Sequence, residues 1–269
     1  MEQNKNIKIR LIDSHCHLDY KELVSDIPKV IKNAKNLGVE KYLTICTRIG
    51  NLPNLKKIAD NYHDIWFTAG IHPHEASNDP FSFDSDKLKQ SFLHKKCVAI
   101  GEAGLDFHYD FASKLDQYKC FEMQISVAQE LNLPIVIHSR NADEEMIGIL
   151  KKSYKFKPFT GVLHCFTGGK DLSNFALDIG FYISFSGIVT FKNSIGIQNI
   201  AKTIPSNRFL VETDSPFLSP IPFRGKSNEP KNTYYVAKFI SELKNSSLEK
   251  IAFDTWNNTK NLFKRMKIN

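Results

Sequence analysis

The sequence predicts an α/β fold, a single (β/α)8 barrel over residues 1–269, and three observations carry that expectation. Short apolar strands alternate with helical segments along the chain, which implies a parallel sheet with helices outside it. The length suits one such barrel, whose typical size is about 250 residues. No Gly-x-Gly-x-x-Gly turn follows the first strand, which removes the usual cofactor signature of an open doubly wound sheet. No linker, short repeat or low-complexity tract divides the chain.

The elements follow in order. Ile7 to Ile12 alternates as a half-buried strand and runs into Asp13-Ser14-His15-Cys16-His17. Pro28 to Leu37 carries Val30, Ile31, Ala34 and Leu37 at helical spacing and stops at Gly38. Strand Tyr42–Cys46 leads to a helix entered at Pro53, and strand Ile65–Ala69 leads to helix Ser85–Phe92. Strand Val98–Ile100 precedes the long helix Ser113–Leu131, and strand Ile135–Ile137 precedes a helix capped near Asn141 or Asp143. Gly161–Leu163 and helix Asp171–Leu177 form the sixth unit, Phe181–Phe185 and Phe209–Val211 are strands seven and eight, and helices fill the C-terminal part.

In such a barrel the chemistry gathers where the strands end at their carboxyl side. Residues i and i+2 of a strand point the same way, so His15 and His17 share a face and Cys16 points opposite. Strand three ends in Gly70-Ile71-His72-Pro73-His74, strand four in Gly101-Glu102-Ala103-Gly104-Leu105-Asp106, and strand five in His138-Ser139-Arg140. Strand six ends in His164-Cys165-Phe166 and strand eight in Glu212-Thr213-Asp214-Ser215-Pro216. Seven of nine histidines (15, 17, 72, 74, 108, 138 and 164) thus fall on one rim, and only His63 and His94 lie elsewhere. That clustering favours a metal site over scattered structural histidines, because imidazole and carboxylate together suit zinc and similar ions. Ligands would come from strands one, four, five, six and eight, encircling the mouth.

Composition narrows the rest. At 42% hydrophobic and 24% charged the chain is ordinary globular protein. No apolar leader and no membrane-length apolar run is seen, so no membrane partner is expected. Five cysteines without a Cys-x-x-Cys pair disfavour a disulfide framework and fit a reducing, cytoplasmic setting. The charge of +7 is permissive of an anionic polymer, but 30 of 36 basic residues are lysine and only Arg10, Arg48, Arg140, Arg208, Arg224 and Arg265 are arginine. Scattered lysine usually marks a solvated surface, whereas bidentate phosphate recognition prefers arginine.

The ordered motifs from Asp13 to Asp214, together with Arg224-Gly-Lys-Ser-Asn-Glu-Pro230, resemble the successive signatures of the TatD family of metal-dependent deoxyribonucleases. Seven motifs in the right order are far more specific than any one. The resemblance implies an amidohydrolase-like TIM barrel, cytoplasmic, that hydrolyses DNA phosphodiesters, often from a 3′ end. Single-stranded ends of DNA are the expected partner, with a monomer favoured. Ala103 stands where the family commonly has a larger aliphatic residue, a neutral change. Ser227 stands where it commonly has a basic one, which costs the pattern one charge near a phosphate.

Roles then carry over onto matching positions. Two divalent ions are implied, of zinc, manganese, iron or cobalt type, with magnesium less natural for histidine-rich ligation. His15, His17 and Asp214 would hold one ion, His138 and His164 the other, and Glu102 would bridge them with its two oxygens. Asp214 and Glu102 are the expected catalytic residues, Asp214 by orienting or deprotonating the attacking water. Capping of the following helices is the structural alternative for both acids. Arg224 is expected on a phosphate with Glu229 holding its guanidinium, the alternative being a surface salt bridge. His72 is expected as a donor to phosphate, the alternative being a packing role behind the ligands, and His74 behind it as support. Phe107 to Phe111 would either stack bases or cover the barrel end, Asp106 would orient a ligand or a loop, and Cys16 and Cys165 would face the packing side.

Two further functions compete with this one. The same chemistry would hydrolyse a cyclic amide or an aminoacyl ester. The related barrels for cyclic amides often bridge their ions with a modified lysine, for which strand four here offers Glu102 instead. A non-catalytic metal-binding protein is disfavoured because every proposed ligand is present.

Overall fold

The structure is a computed structural model that describes residues 9–268. Eight parallel strands lie in sequence order, β1 (Leu11–Cys16), β2 (Val39–Thr44), β3 (Ile65–Ala69), β4 (Cys97–Asp106), β5 (Ile135–Arg140), β6 (Gly161–Leu163), β7 (Tyr182–Phe185) and β8 (Phe209–Val211). The expected first strand began at Ile7, and Ile7 and Lys8 lie outside the described residues. Helices α1 (Lys21–Val24), α2 (Ile27–Asn36), α3 (Leu52–Asn61), α4 (Ser85–Gln90), α5 (Lys114–Leu131), α6 (Asp143–Phe156), α7 (Lys170–Asp178), α8 (Ile195–Thr203), α9 (Thr233–Leu243) and α10 (Leu248–Leu262) connect and follow them. This is the predicted TIM barrel.

Local chemistry sets the helix ends. The Asp26 carboxylate accepts the Lys29 N–H at the start of α2, with Pro28 in the first turn, and Gly38 leaves the helix at a φ of +81°. Ser113 caps α5 by accepting the Asp116 N–H. Helix α6 starts where the sequence placed it, with Ala142, between Asn141 and Asp143, at its N-cap and no side-chain cap there. Asp143 sits inside the first turn beside Glu144 and Glu145, favoured there by the helix dipole, and its carboxylate accepts the Gly169 N–H at 2.6 Å. Helix α8 was not anticipated at all. Ile195 is exposed, while Ile197 and Ile200 pack against the core beside fully buried Ala201.

One apolar cluster takes a residue from every strand, Ile12, Leu43, Trp66, Val98, Val136, Val162, Tyr182 and Leu210, and joins them to Trp256, Leu262, Phe263 and Met266. A cluster fed by all eight strands is the barrel interior, here closed off by residues that follow the last strand. The alternate strand residues, among them Leu11, Tyr42, Phe67, Ile135, Ile183 and Phe209, pack outward against the helices.

The first and last strands meet at a seam just beyond β8. The Asp214 N–H donates to the His15 carbonyl at 2.9 Å and the His17 N–H donates to the Ser215 carbonyl at 2.8 Å. Asp13, fully buried, accepts the Thr213 N–H at 2.9 Å and the Thr213 hydroxyl at 2.6 Å. Burial pushes the Asp13 carboxyl up to about 8, against the pull of the hydrogen bonds from Thr213 and His15.

Asp13→Ala leaves the buried Thr213 N–H and hydroxyl without their acceptor. Urea unfolding is expected to show a loss of about 2 to 4 kcal/mol, and an unchanged midpoint would deny the seam its importance.

Candidate metal centre

The site is built where five strands end. Strand β1 delivers His15 and His17, with ring centroids 5.1 Å apart and both rings buried. Strand β4 runs far past the predicted Val98–Ile100 and carries Glu102 and Asp106 within it. Its register against β5 shifts between Ile100 and Ala103, an irregularity that brackets Glu102. Such breaks re-aim a side chain at the rim of a barrel, and the Glu102 N–H leaves β5 to donate to the Cys46 carbonyl at 2.8 Å. Opposite it, Gly104 has a φ of +147°, and a Cβ there would run into the His138 carbonyl.

The Glu102 carboxylate is the hub. Its Oε1 lies 2.8 Å from His164 Nε2, 3.1 Å from His138 Nδ1 and 3.4 Å from His72 Nε2, and its Oε2 lies 3.3 Å from His15 Nε2. Asp214 Oδ1 lies 3.2 Å from His17 Nε2 and 3.6 Å from His15 Nε2. The rings of His15 and His164 stack at 3.8 Å. The six residues named from the sequence as metal ligands therefore converge on one point. Three groupings among them and His72 bring their ligand atoms within 4.8 Å of one another: His15, His17 and Glu102; His15, His164 and Asp214; and His72, Glu102 and His138.

The electrostatics follow from burying acids among imidazoles. Burial opposes charge on Glu102, yet His164, His72, His138 and His15 hold its carboxyl well below the usual range. Burial likewise opposes charge on Asp214, and His17 and His15 outweigh it and bring it down. On His164 burial is outweighed by Glu102 and Glu212, which raise it well above the ordinary imidazole value. His72 goes the other way, lowered to about 4 by burial, and is neutral. Its Nδ1 accepts the His74 N–H at 3.1 Å, which puts the ring proton on Nε2 and makes His72 a donor rather than a lone-pair ligand.

A cation fits this arrangement. His15 Nε2 and His164 Nε2 are buried without a hydrogen-bond partner, and both face the oxygens of Glu102. Nitrogen lone pairs and carboxylate oxygens aimed at each other repel unless a proton or a metal ion lies between them.

Two contributors, Glu212 and Asp13, were passed over in the sequence, and a third, Asp106, was expected there to orient a ligand or a loop. Glu212, buried, accepts the Cys165 N–H at 2.7 Å and lies 3.3 Å from His164 Nδ1, which fixes that ring's tautomer and leaves Nε2 for a metal. Asp106 does the same service for two rings, with Oδ2 2.9 Å from both His138 Nε2 and His74 Nε2, while Oδ1 accepts the His108 N–H. Asp13 sets the seam that holds β1 to β8. All three stand inside motifs already singled out, and their position beside a histidine or a ligand was the available signal.

Two expectations are corrected. Glu229 does not hold Arg224. It accepts from Asn33 at 3.0 Å and from Lys231 at 2.9 Å, because buried Asn228 pins this loop to the Thr213 and Phe217 carbonyls and turns its neighbour toward α2. Arg224 is exposed and lies over the Phe191 ring, 3.7 Å from its centroid. Cys165 does not face the packing side. A left-handed φ of +43° breaks the strand alternation there, and the residue lines the cleft with Sγ 3.1 Å from Ser186 Oγ. Cys16 is packed as expected, against the Leu43 carbonyl. Burial pushes both thiols far up, so neither is a nucleophile.

Above the hub opens a cleft of about 1200 Å³, walled by His17, Tyr20, Arg48, His108, Tyr109, Arg140 and Phe217 among others. A parallel eightfold barrel whose strand ends pool histidines and acids under an open cleft is that of a metal-dependent hydrolase. The sequence profile described as "TatD related DNase" matches residues 12–264, and the chain belongs to the TatD family. It is 41% identical to a Bacillus subtilis protein named an uncharacterized metal-dependent hydrolase, YabD, over 94% of this chain and 99% of that one. It is 31% identical to the 3′-5′ ssDNA/RNA exonuclease TatD of Pantoea ananatis, over 94% and 99%. The crystal structure of YJJV, a TatD homologue from Escherichia coli, superposes with a TM-score of 0.89 at 27% identity, covering 95% of this chain and 98% of that one.

Glu212→Gln replaces the acceptor for His164 Nδ1–H with a group that can present an amide. Affinity for added Zn2+ or Mn2+, measured by competition with a chelating dye, is expected to fall about 10- to 100-fold with the far-UV circular dichroism unchanged. Equal affinity would mean that Glu212 serves only the Cys165 turn.

Proposed function

We propose that this chain hydrolyses phosphodiester bonds of DNA, removing nucleotides from single-stranded 3′ ends, with two divalent ions at the hub. The observation that carries the reading is Glu102, one carboxylate with four imidazoles within 3.4 Å of its two oxygens and Asp214 shared between His15 and His17 beside it. In this reading His15, His17 and Asp214 would hold one ion and His138 and His164 the other, with Glu102 offering an oxygen to each. Bound ions would supply Lewis acidity, lowering the pKa of a water and neutralising charge as it builds on the phosphate.

The protein's own groups do the remainder. Asp214, kept ionised by the histidines around it, orients the water and takes its proton. His72, neutral with its proton on Nε2, donates to a non-bridging phosphate oxygen, and His74 fixes that tautomer through its backbone N–H. Arg224, exposed on its loop, serves the phosphate backbone by charge, without help from Glu229. The name of the Pantoea ananatis relative supports a nucleic-acid substrate.

The test is protein loaded with Mn2+, Mg2+ or Zn2+ and incubated with end-labelled single-stranded DNA, beside an aminoacyl ester. Stepwise shortening from the 3′ end, abolished by EDTA and restored by metal, is expected. Hydrolysis of the ester alone would replace this reading with a carboxyl-ester one.

Asp214→Asn is expected to cut kcat by about 10²- to 10⁴-fold in a barrel that still unfolds cooperatively. Arg224→Ala is expected to raise KM for the oligonucleotide more than it lowers metal content. Unchanged turnover in the first variant, or unchanged KM in the second, removes that residue from the account.

A further inference from the structure

Three arginines stand near the cleft or the loops around it, and they are not equivalent. Arg48 is committed, its guanidinium 2.6 Å from Glu75. Arg224 lies over Phe191 and is not among the residues that wall the cleft. Arg140 walls the cleft, is half-buried, and among the described residues pairs with no carboxylate. Its guanidinium instead sits 5.0 Å above the centre of the Tyr109 ring.

The placement follows from the strand. Arg140 is two residues beyond His138 on β5, so the two side chains leave the same face. Asp106 is its direct partner across the β4–β5 ladder, and an arginine beside an aspartate would ordinarily pair with it. That acid is already spent on the His138 and His74 rings and on the His108 and Tyr109 N–H groups. Asp143, also on the cleft wall, is taken by the Gly169 N–H. A half-buried cation with five N–H donors and no anion, placed over an aromatic ring, is available to a planar two-oxygen acceptor.

We propose that Arg140, braced on Tyr109, is a phosphate clamp that grips the nucleic-acid backbone at a phosphate next to the one being cleaved. The proposal rests on the nuclease reading and adds a subsite to it. It names a residue that the sequence offered only as part of a motif.

The experiment uses metal-loaded full-length protein and single-stranded oligonucleotides in which one backbone phosphate at a time is a neutral methylphosphonate. Arg140→Gln is expected to raise KM by about 10- to 100-fold, the range for a hydrogen bond to a charged group, with kcat little changed. The slope of log kcat/KM against log salt should become shallower by roughly 0.7, one phosphate contact on a single strand. One methylphosphonate position next to the scissile bond should impose a similar loss on the wild-type chain and no further loss on Arg140→Gln. Arg140→Lys keeps the charge and loses the fork, so it should recover the salt slope but not the full KM. Additive losses at every methylphosphonate position, or an unaltered salt slope in Arg140→Gln, overturn the clamp and leave the nuclease standing. Failure of the wild-type chain to cut any oligonucleotide overturns both.

Discussion

The structure depends on the seam that joins β1 to β8. A sheet of eight parallel strands has its first and last members more than 190 residues apart in the chain, and the entropy of bringing them together has to be recovered by contacts made at the junction. Here the junction is narrow. Among the described residues it includes two backbone hydrogen bonds, Asp214 to His15 and His17 to Ser215, the Ser14 hydroxyl donating to the Val211 carbonyl, and the Asp13 carboxyl locked to the N–H and hydroxyl of Thr213. The residues that make the closure alternate with those that form the site. The contact that completes the barrel therefore also sets the spacing between His15, His17 and Asp214.

The second constraint is electrical. Four buried or half-buried acids, Glu102, Asp106, Glu212 and Asp214, face a ring of imidazoles across a few ångströms, and each acid has a separate task. Glu102 and Asp214 point into the shared space, whereas Asp106 and Glu212 sit behind the rings and decide which nitrogen carries the proton. Separating inward acids from backing acids leaves nitrogen lone pairs directed at the hub, which a cation can neutralise more completely than protons can. His72 is the exception, since the His74 backbone gives its ring the opposite tautomer.

Most of the fold, and the meeting of the candidate site residues on one rim, were legible in the sequence because both rest on short-range periodicity. Alternation identified His15 and His17, strand-helix spacing placed Glu102, His138, His164 and Asp214 on one rim, and the motif order added the family. Illegible were the features decided by distant partners. The length of β4 could not be read, since Gly101 and Gly104 look like strand breakers until β5 is seen beside them. The pairing of Glu229 was misread because Asn33 lies 196 residues away and the pin at Asn228 has no local signature. Cys165 was misread because alternation assumes an extended backbone, and its positive φ departs from that. Helix α8 escaped notice although Ile197, Ile200 and Ala201 stand at helical spacing.

The floor of the barrel has a temporal consequence. Trp256, Leu262, Phe263 and Met266 seal the end opposite the cleft, and they come after all eight strands in the chain. During synthesis the nascent polypeptide thus holds every histidine of the centre before it has the means to exclude water from beneath them. An ion held at that centre would gain its full enclosure only once α10 and the residues after it are in place.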